Sequence, residues 1–464
     1  MAHAQQGYDI KIQLKPYKNA TIYLGYYYGK LKALADSTVL SENSTGRFSG
    51  KEKLHGGIYF VVSPKKEILF EILVDKDQYF SIVADTAKLP ASISFEGTTD
   101  NLQFQSYSGF ANETGQLISR LNTELMNAGN AKDSASISSK IKMLTHSMTH
   151  YRDSIGNKYP GSFLTILFNA IRQPEVPPAS THPGGRYDSS YAYQYYKSHY
   201  WQGVSVGDER LVRTPFFEPK LEKYYKELVY PHADSIKKEI DAMLIKARPS
   251  KEMFKYLLVH FVQKYINPEF MGQDAVFVHL FEKYINTGQT DFFTTQYMDF
   301  MTKRAYSLMA NLIGQPAANL EMVDTAGKSM PLYNLQSEYT VICFWDPTCS
   351  HCKEVVPKVD SMYKAKWKNL GVAVYGVKVD GNREDWVKFI NENGLSGWLH
   401  VHQLPQQQSL ENAAGKPGYK QLYDVYQTPV LYLLDKDKRI IAKKLTYLQI
   451  DEVISLKEKT AKSN

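Results

Sequence analysis

The 464-residue chain has only three cysteines, all lying between positions 343 and 352. Thiols so close together cannot staple distant parts of a chain, which excludes a structural disulfide framework. Long apolar runs are missing too: stretches such as Val341 to Trp345 have strand length, far below the roughly 18 residues needed to cross a bilayer, so no membrane span is expected. Lys and Arg nowhere form a block dense enough for a nucleic-acid groove, and a formal charge of +7 over this length is mild. No nucleic-acid partner is therefore expected. Composition gives no sign of wholesale disorder, because 43% hydrophobic with 22% charged residues is typical of folded domains. Length alone predicts about two to four of them.

The start of the chain carries Ala2-His3-Ala4 followed by Gln5-Gln6, the small-x-small form of a signal-peptidase site without the charged and apolar segments that precede one. Residues 1–6 are read as the end of an export signal behind an added Met1. The protein is then exported, to the periplasm or cell envelope. A chance A-x-A in a cytosolic protein is the competing reading.

Three regions follow, a multidomain organisation. Residues 7–98 have period two: Tyr8, Ile10, Ile12 and Leu14 share a face, as do Ile22, Leu24 and Tyr26, and Ile58 to Val62 and Ile68 to Val74 continue the pattern. Turns at Ser63 to Lys66 and Asp75 to Asp77 punctuate it, so an antiparallel β domain resembling a sandwich is expected. Residues 99–311 have helical spacing, with helices expected over 100–127, 134–157, 218–246 and 290–311, and one capped by Ser250 that carries Phe254, Leu258, Phe261 and Tyr265. A Tyr-rich run from Tyr187 to Trp201 is read as helix packing rather than a ligand groove. In residues 312–464 strands and helices alternate, and the short turn Asp435 to Lys438 fits a hairpin, so a mixed α/β sheet is expected.

The chemistry sits at one junction. The apolar strand Thr340 to Trp345 gives way to a helix beginning near Cys349, and unpaired N–H groups at a helix start favour a thiolate. Cys349 is thus the attacking sulfur, and Cys352, one turn inside, the resolving thiol. Pro357 should bend this helix without preventing its start. Structural zinc would need two more ligands, and no second CxxC or CxxH is present in the sequence; no metal or other cofactor is expected beyond the dithiol itself. Peroxiredoxin chemistry is discounted because Asp346 occupies the position three residues before Cys349. Cys343 is read as an inert strand residue. His351, inside the pair, is the candidate for tuning the thiolate electrostatically.

Phe344-Trp345-Asp346-Pro347-Thr348-Cys349-Ser350-His351-Cys352, followed by Pro357, resembles the active-site segment of TlpA/ResA-type thioredoxin-like proteins. Gly314 to Ala317, Asp324-x-x-Gly327 and Leu332 to Leu335 resemble the hairpin such proteins add before the thioredoxin core, and Thr428-Pro429 resembles their cis-proline loop. The two earlier regions resemble the β and helical domains that precede such modules in exported Bacteroidetes proteins. The resemblance implies catalysis by Cys349 and Cys352, with Trp345 packed beside the pair and Ser350, Thr428 and Pro429 at the substrate side. It departs at two places: Cys343 replaces the buried acid of thioredoxin, and Val355 stands where ResA-type proteins have a glutamate, with Glu354 one residue early. From the residues alone, Pro429 could equally be an ordinary trans proline opening a strand.

The reading is a thiol–disulfide oxidoreductase that reduces or exchanges disulfides of exported proteins, with an unidentified thiol donor resetting the pair. The alternative is a scaffold whose N-terminal domains hold a partner and whose thioredoxin module is accessory.

Overall fold

The computed structural model describes residues 7–463, so the Ala2-His3-Ala4 segment lies outside the described residues. The chain divides into two compact units, one of residues 1–230 with 241–257 and the other of residues 231–240 with 258–464.

The first unit opens with eight strands: β1 (Tyr8–Lys15), β2 (Thr21–Tyr28), β3 (Leu31–Val39), β4 (Thr45–Gly50), β5 (Gly57–Val62), β6 (Ile68–Val74), β7 (Tyr79–Asp85) and β8 (Ser94–Glu96). They form two four-stranded sheets, ordered β4-β1-β7-β8 and β3-β2-β5-β6. All pairings are antiparallel except β1 with β7, which run parallel. Alternation explains the stacking: Ile10, Ile12 and Leu14 of β1 meet Ile22, Leu24, Val61 and Ile72 of the other sheet in one core.

Helices α1 (Thr99–Met126), α2 (Ala131–Lys158), α3 (Phe163–Ile171), α4 (Ser189–His199) and α5 (Phe217–Lys223) follow. Thr98 caps α1, and the Asn101 side chain exchanges two hydrogen bonds of 2.8 Å with the Leu73 backbone, satisfying the outer edge of β6. The Tyr-rich run is largely α4, where the Tyr193 hydroxyl donates to the Leu228 carbonyl at 2.9 Å.

The single helix expected over 218–246 is two. After α5 a π turn at Tyr224–Leu228 leads to extended backbone at Val229, and α6 (Ala233–Ala247) starts beyond Pro231. Proline disfavours helical backbone in the residue before it and brings no N–H, which explains the interruption. Then come α7 (Lys251–Tyr265), α8 (Asp274–Leu280) and α9 (Thr295–Met309).

The second unit is built on six strands ordered β14-β13-β10-β11-β12-β9. Here β9 is Val323–Asp324, β10 Tyr339–Trp345, β11 Val372–Lys378, β12 Leu399–His402, β13 Val430–Asp435 and β14 Ile440–Lys443. The centre, β10-β11-β12, is parallel, while β13, β14 and β9 are antiparallel to their neighbours. Around the sheet lie α10 (Ser350–Ala365), α11 (Arg383–Glu392), α12 (Pro405–Ala413), α13 (Tyr419–Leu422) and α14 (Tyr447–Ser463). Two apolar cores explain why β10 is buried on both faces: Val341, Cys343 and Trp345 join one, Ile342 and Phe344 the other. Gly376 of β11 lies opposite Cys343, and a Cβ there would come within 3.1 Å of both His400 and Trp398. A side chain there would crowd those rings and force them to give way slightly. Among the described residues no helix is long and apolar enough to cross a membrane.

Candidate active site

β10 ends at Trp345, and a tight turn redirects the chain into α10. Asp346 builds that turn, its carboxylate accepting from the Thr348 N–H and hydroxyl at 2.7 Å each. Cys349 is the residue that caps α10, in extended backbone, and Pro357 lies within the helix. Its thiol is half-buried, whereas Cys352 and Cys343 are fully buried; all three are free thiols.

The two thiols of the CxxC pair are pushed in opposite directions. The Cys352 backbone N–H, pointing at the Cys349 sulfur, does most to hold that thiol below its ordinary pKa. Burial opposes it, and the Thr428 side chain, the Cys352 thiol and the His351 N–H add to it. Burial pushes Cys352 up to about 11, although the Thr428 side chain and the Asp346 N–H, 3.5 Å from its sulfur, favour its thiolate. These two donors face the Cys352 thiol from outside its apolar core. Cys343 is pushed up strongly, by burial first and by Cys352 second.

Thr428 and Pro429 come from the far side of the sequence, just before β13, and the peptide between them is cis. The Cys349 thiol donates to the Thr428 carbonyl at 3.6 Å. Thus Cys349, Cys352, Thr428 and Pro429 are brought together. Ser350 and His351 are exposed on the first turn of α10, and what His351 contributes to the Cys349 sulfur is its backbone N–H. Trp345 is buried in the same core as Cys352, its ring 5.2 Å from that of Phe389. Glu354 points to solvent and pairs with Lys358 at 2.6 Å.

Residues that sequence spacing did not bring forward also face this place. A cleft of about 620 Å³ opens beside His351 and Pro429 and is lined further by Phe300, Tyr426, Tyr447 and Lys444. At its floor Asp424, with a side chain 1% exposed, is held by Arg304 of α9 and by Lys444. Burial works against charge on Asp424, but the contacts with Lys444 and Arg304 outweigh it and hold the carboxyl below its ordinary range. No local signal could have paired Arg304 with a residue 120 positions away.

A dithiol at the start of the helix that follows the central strand of a mixed sheet, beside a Thr-Pro loop, defines a thioredoxin-like domain. Residues 313–443 match the AhpC/TSA family, and residues 130–307 match a domain of unknown function, DUF5106. The thiol-disulfide oxidoreductase ResA of Bacillus subtilis is 25% identical over 128 residues, 28% of this chain and 64% of that protein. The chain thus spans less than two thirds of the curated relative it matches. A domain of a possible thiol-disulfide isomerase from Cytophaga hutchinsonii is 37% identical, with 33% of this chain and 97% of that one covered and a TM-score of 0.28. A thioredoxin-like protein from Bacteroides caccae is 20% identical, with 62% and 98% covered and a TM-score of 0.47. Over residues 313–443 the chain is a thioredoxin-like domain similar to thiol–disulfide oxidoreductases of the TlpA/ResA type.

Proposed function

We propose that the protein reduces or exchanges disulfides of exported proteins through Cys349 and Cys352. The observation that carries this reading is the contrast between the two thiols: one half-exposed and lowered by helix N–H groups, the other buried and raised to about 11. Cys349 thiolate attacks one sulfur of the substrate disulfide, forming a mixed disulfide and expelling a substrate thiolate that takes a proton from water. Cys352 then gives up its proton and attacks Cys349, expelling the second substrate thiolate and leaving a Cys349–Cys352 disulfide. Two electrons pass to the substrate, and an external dithiol donor must return them.

In this reading the Thr428 backbone, beside the attacking sulfur, pairs with the substrate main chain, while Pro429 and His351 border the substrate and Ser350 and Trp345 flank the pair. Residues 312–464 are taken as the redox domain, residues 7–98 and 99–311 as the domains before it, and the work as done outside the cytoplasm, in the periplasm or cell envelope. The test is insulin reduction with dithiothreitol. Catalysed precipitation by the wild type, lost in Cys349→Ser, supports the oxidoreductase; a wild type no faster than dithiothreitol alone refutes it and returns the scaffold reading.

A further inference from the structure

The cleft beside Pro429 has one wall that does not belong to the thioredoxin-like domain. Phe300 and Arg304 lie on α9, and Asn267 follows α7, all inside the range that matches DUF5106. This wall is fixed, not loosely tethered. Arg304 binds the buried carboxylate of Asp424, the Ser307 hydroxyl donates to the Gln421 carbonyl at 2.5 Å, and the Asn311 amide donates to the Leu422 carbonyl at 2.9 Å. Lys443 of β14 adds a buried anchor, donating to the Asn311 carbonyl at 2.7 Å and pairing with Asp274 of α8. Side chains held this way keep their positions when a ligand arrives.

The cleft also continues. A second hollow of about 500 Å³ shares Phe300, Arg304 and Tyr426 with the first and extends to Lys303 and Lys420. The two hollows together form a groove that starts at His351 and Pro429, passes two exposed aromatic rings, and ends among cations. Phe300 is 49% and Tyr426 76% exposed, so both rings are open to a ligand entering the groove. At the far end the charged lining residues are Lys303, Lys420 and Arg304, of which Arg304 is already matched by Asp424. The excess charge is positive and calls for a carboxylate.

We propose that α9 and the Thr428-Pro429 loop together form a selectivity groove for an extended substrate segment, in which a bulky apolar side chain near the reacting cysteine sits on Phe300 and Tyr426 and an acidic side chain follows against Lys303 and Lys420. The occupant is polypeptide, because the two hollows are open and adjoining rather than one enclosed pocket, and the Thr428 main chain lies against the Cys349 sulfur where the groove starts. The helical segment thereby acquires a role: it reads the sequence around the disulfide that Cys349 attacks. This inference rests on the oxidoreductase reading above and deepens it.

The test uses the full-length chain, pre-reduced, and cysteine peptides held as mixed disulfides with thionitrobenzoate, whose release is followed by absorbance. One peptide carries leucine and glutamate on both sides of the cysteine; the others replace leucine with serine, or glutamate with lysine. In this single turnover wild type should react with the leucine–glutamate peptide about tenfold faster than with either substitute, judged by the second-order rate constant. Phe300→Ser should bring the leucine-to-serine ratio toward one. Lys303→Glu with Lys420→Glu should reverse the preference between glutamate and lysine, a gain that misfolding cannot produce. Equal rate constants for all peptides in a wild type that reduces the small disulfide dithiobis(nitrobenzoate) overturn the groove and leave the redox reading standing. A wild type that reduces neither the peptides nor dithiobis(nitrobenzoate) overturns both.

Discussion

The middle of β10 and the cap of α10 each carry a cysteine, Cys343 and Cys349, and give them opposite chemistry. On β10 every nearby amide is committed to the ladder, with Cys343 opposite Gly376 on one side and Leu431 on the other. Its thiol lies in the apolar core, and burial first and Cys352 second push its pKa up. At the start of α10 the amides have no carbonyl a turn earlier to bond, so those of Cys352 and His351 are left to point at the Cys349 sulfur. Reactivity is therefore decided by whether neighbouring N–H groups are already spent. Cys352 stands between the two cases: it shares the core with Cys343, yet the Asp346 N–H and the Thr428 side chain reach its sulfur.

Replacing each thiol breaks the comparison most directly. Cys349→Ser is expected to lower insulin reduction by roughly 1000-fold or more, because a hydroxyl has no accessible anion to attack a disulfide. Cys343→Ala should stay within about twofold of wild type in rate and cost roughly 1 kcal/mol of stability from the small void left in the core. An inactive but folded Cys343→Ala protein would mean that the strand thiol takes part in the chemistry. Alkylation sharpens the same contrast at a smaller scale. With a thiol pKa of about 11, Cys352 has about 0.1% thiolate at pH 8, whereas the Cys349 thiol, held below its ordinary range by the helix N–H groups, is far more ionised. Iodoacetamide at pH 8 should accordingly label Cys349 more than about tenfold faster than Cys352, as read by mass spectrometry of quenched samples. Comparable rates would show that the first turn does not distinguish them.

The same physics decides what could be read from sequence. β1 declares itself because Ile10, Ile12 and Leu14 alternate with solvated residues, and β10 because a run of apolar residues ends at a turn. β3 does not, since its apolar residues Leu31, Leu34 and Val39 are 69%, 64% and 65% exposed and mark no face. α8 is too short to establish a period before its π turn. The CxxC segment was legible because its chemistry is local, built from one strand end and one helix start. The cleft was not: Phe300, Arg304, Asp424 and Lys444 meet only through the tertiary fold, and no spacing in the chain announces an ion pair buried between α9 and the loop before Pro429. His351 is a further case, because what reaches the sulfur is a backbone N–H that any residue but proline would supply.

The smallest effect concerns stability rather than rate, and it probes the buried side of the pair alone. Cys352 has its pKa raised from 9.0 to about 11 in the folded protein, chiefly by burial. Its neutral form is favoured by the fold, so below pH 9 it contributes its full stability relative to the unfolded chain. As pH rises from 9 toward 11, the unfolded chain releases this proton first, and the contribution is lost. At pH 10 the loss is about 1.4 kcal/mol, a factor of ten in the folding equilibrium, from the two-unit gap between the states. Other groups titrate in this window, so the comparison should be between Cys349→Ser and the double variant Cys349→Ser, Cys352→Ala, which differ only at position 352 and cannot form the pair's disulfide. Urea midpoints for each between pH 7.5 and 10 should show the single variant losing more stability on alkalinisation, by up to about that amount, because Cys349, a lesser cause of the rise, is absent from both. Parallel curves would mean that Cys352 titrates as a solvated thiol, and the division of labour between the two sulfurs would then have to rest on access alone.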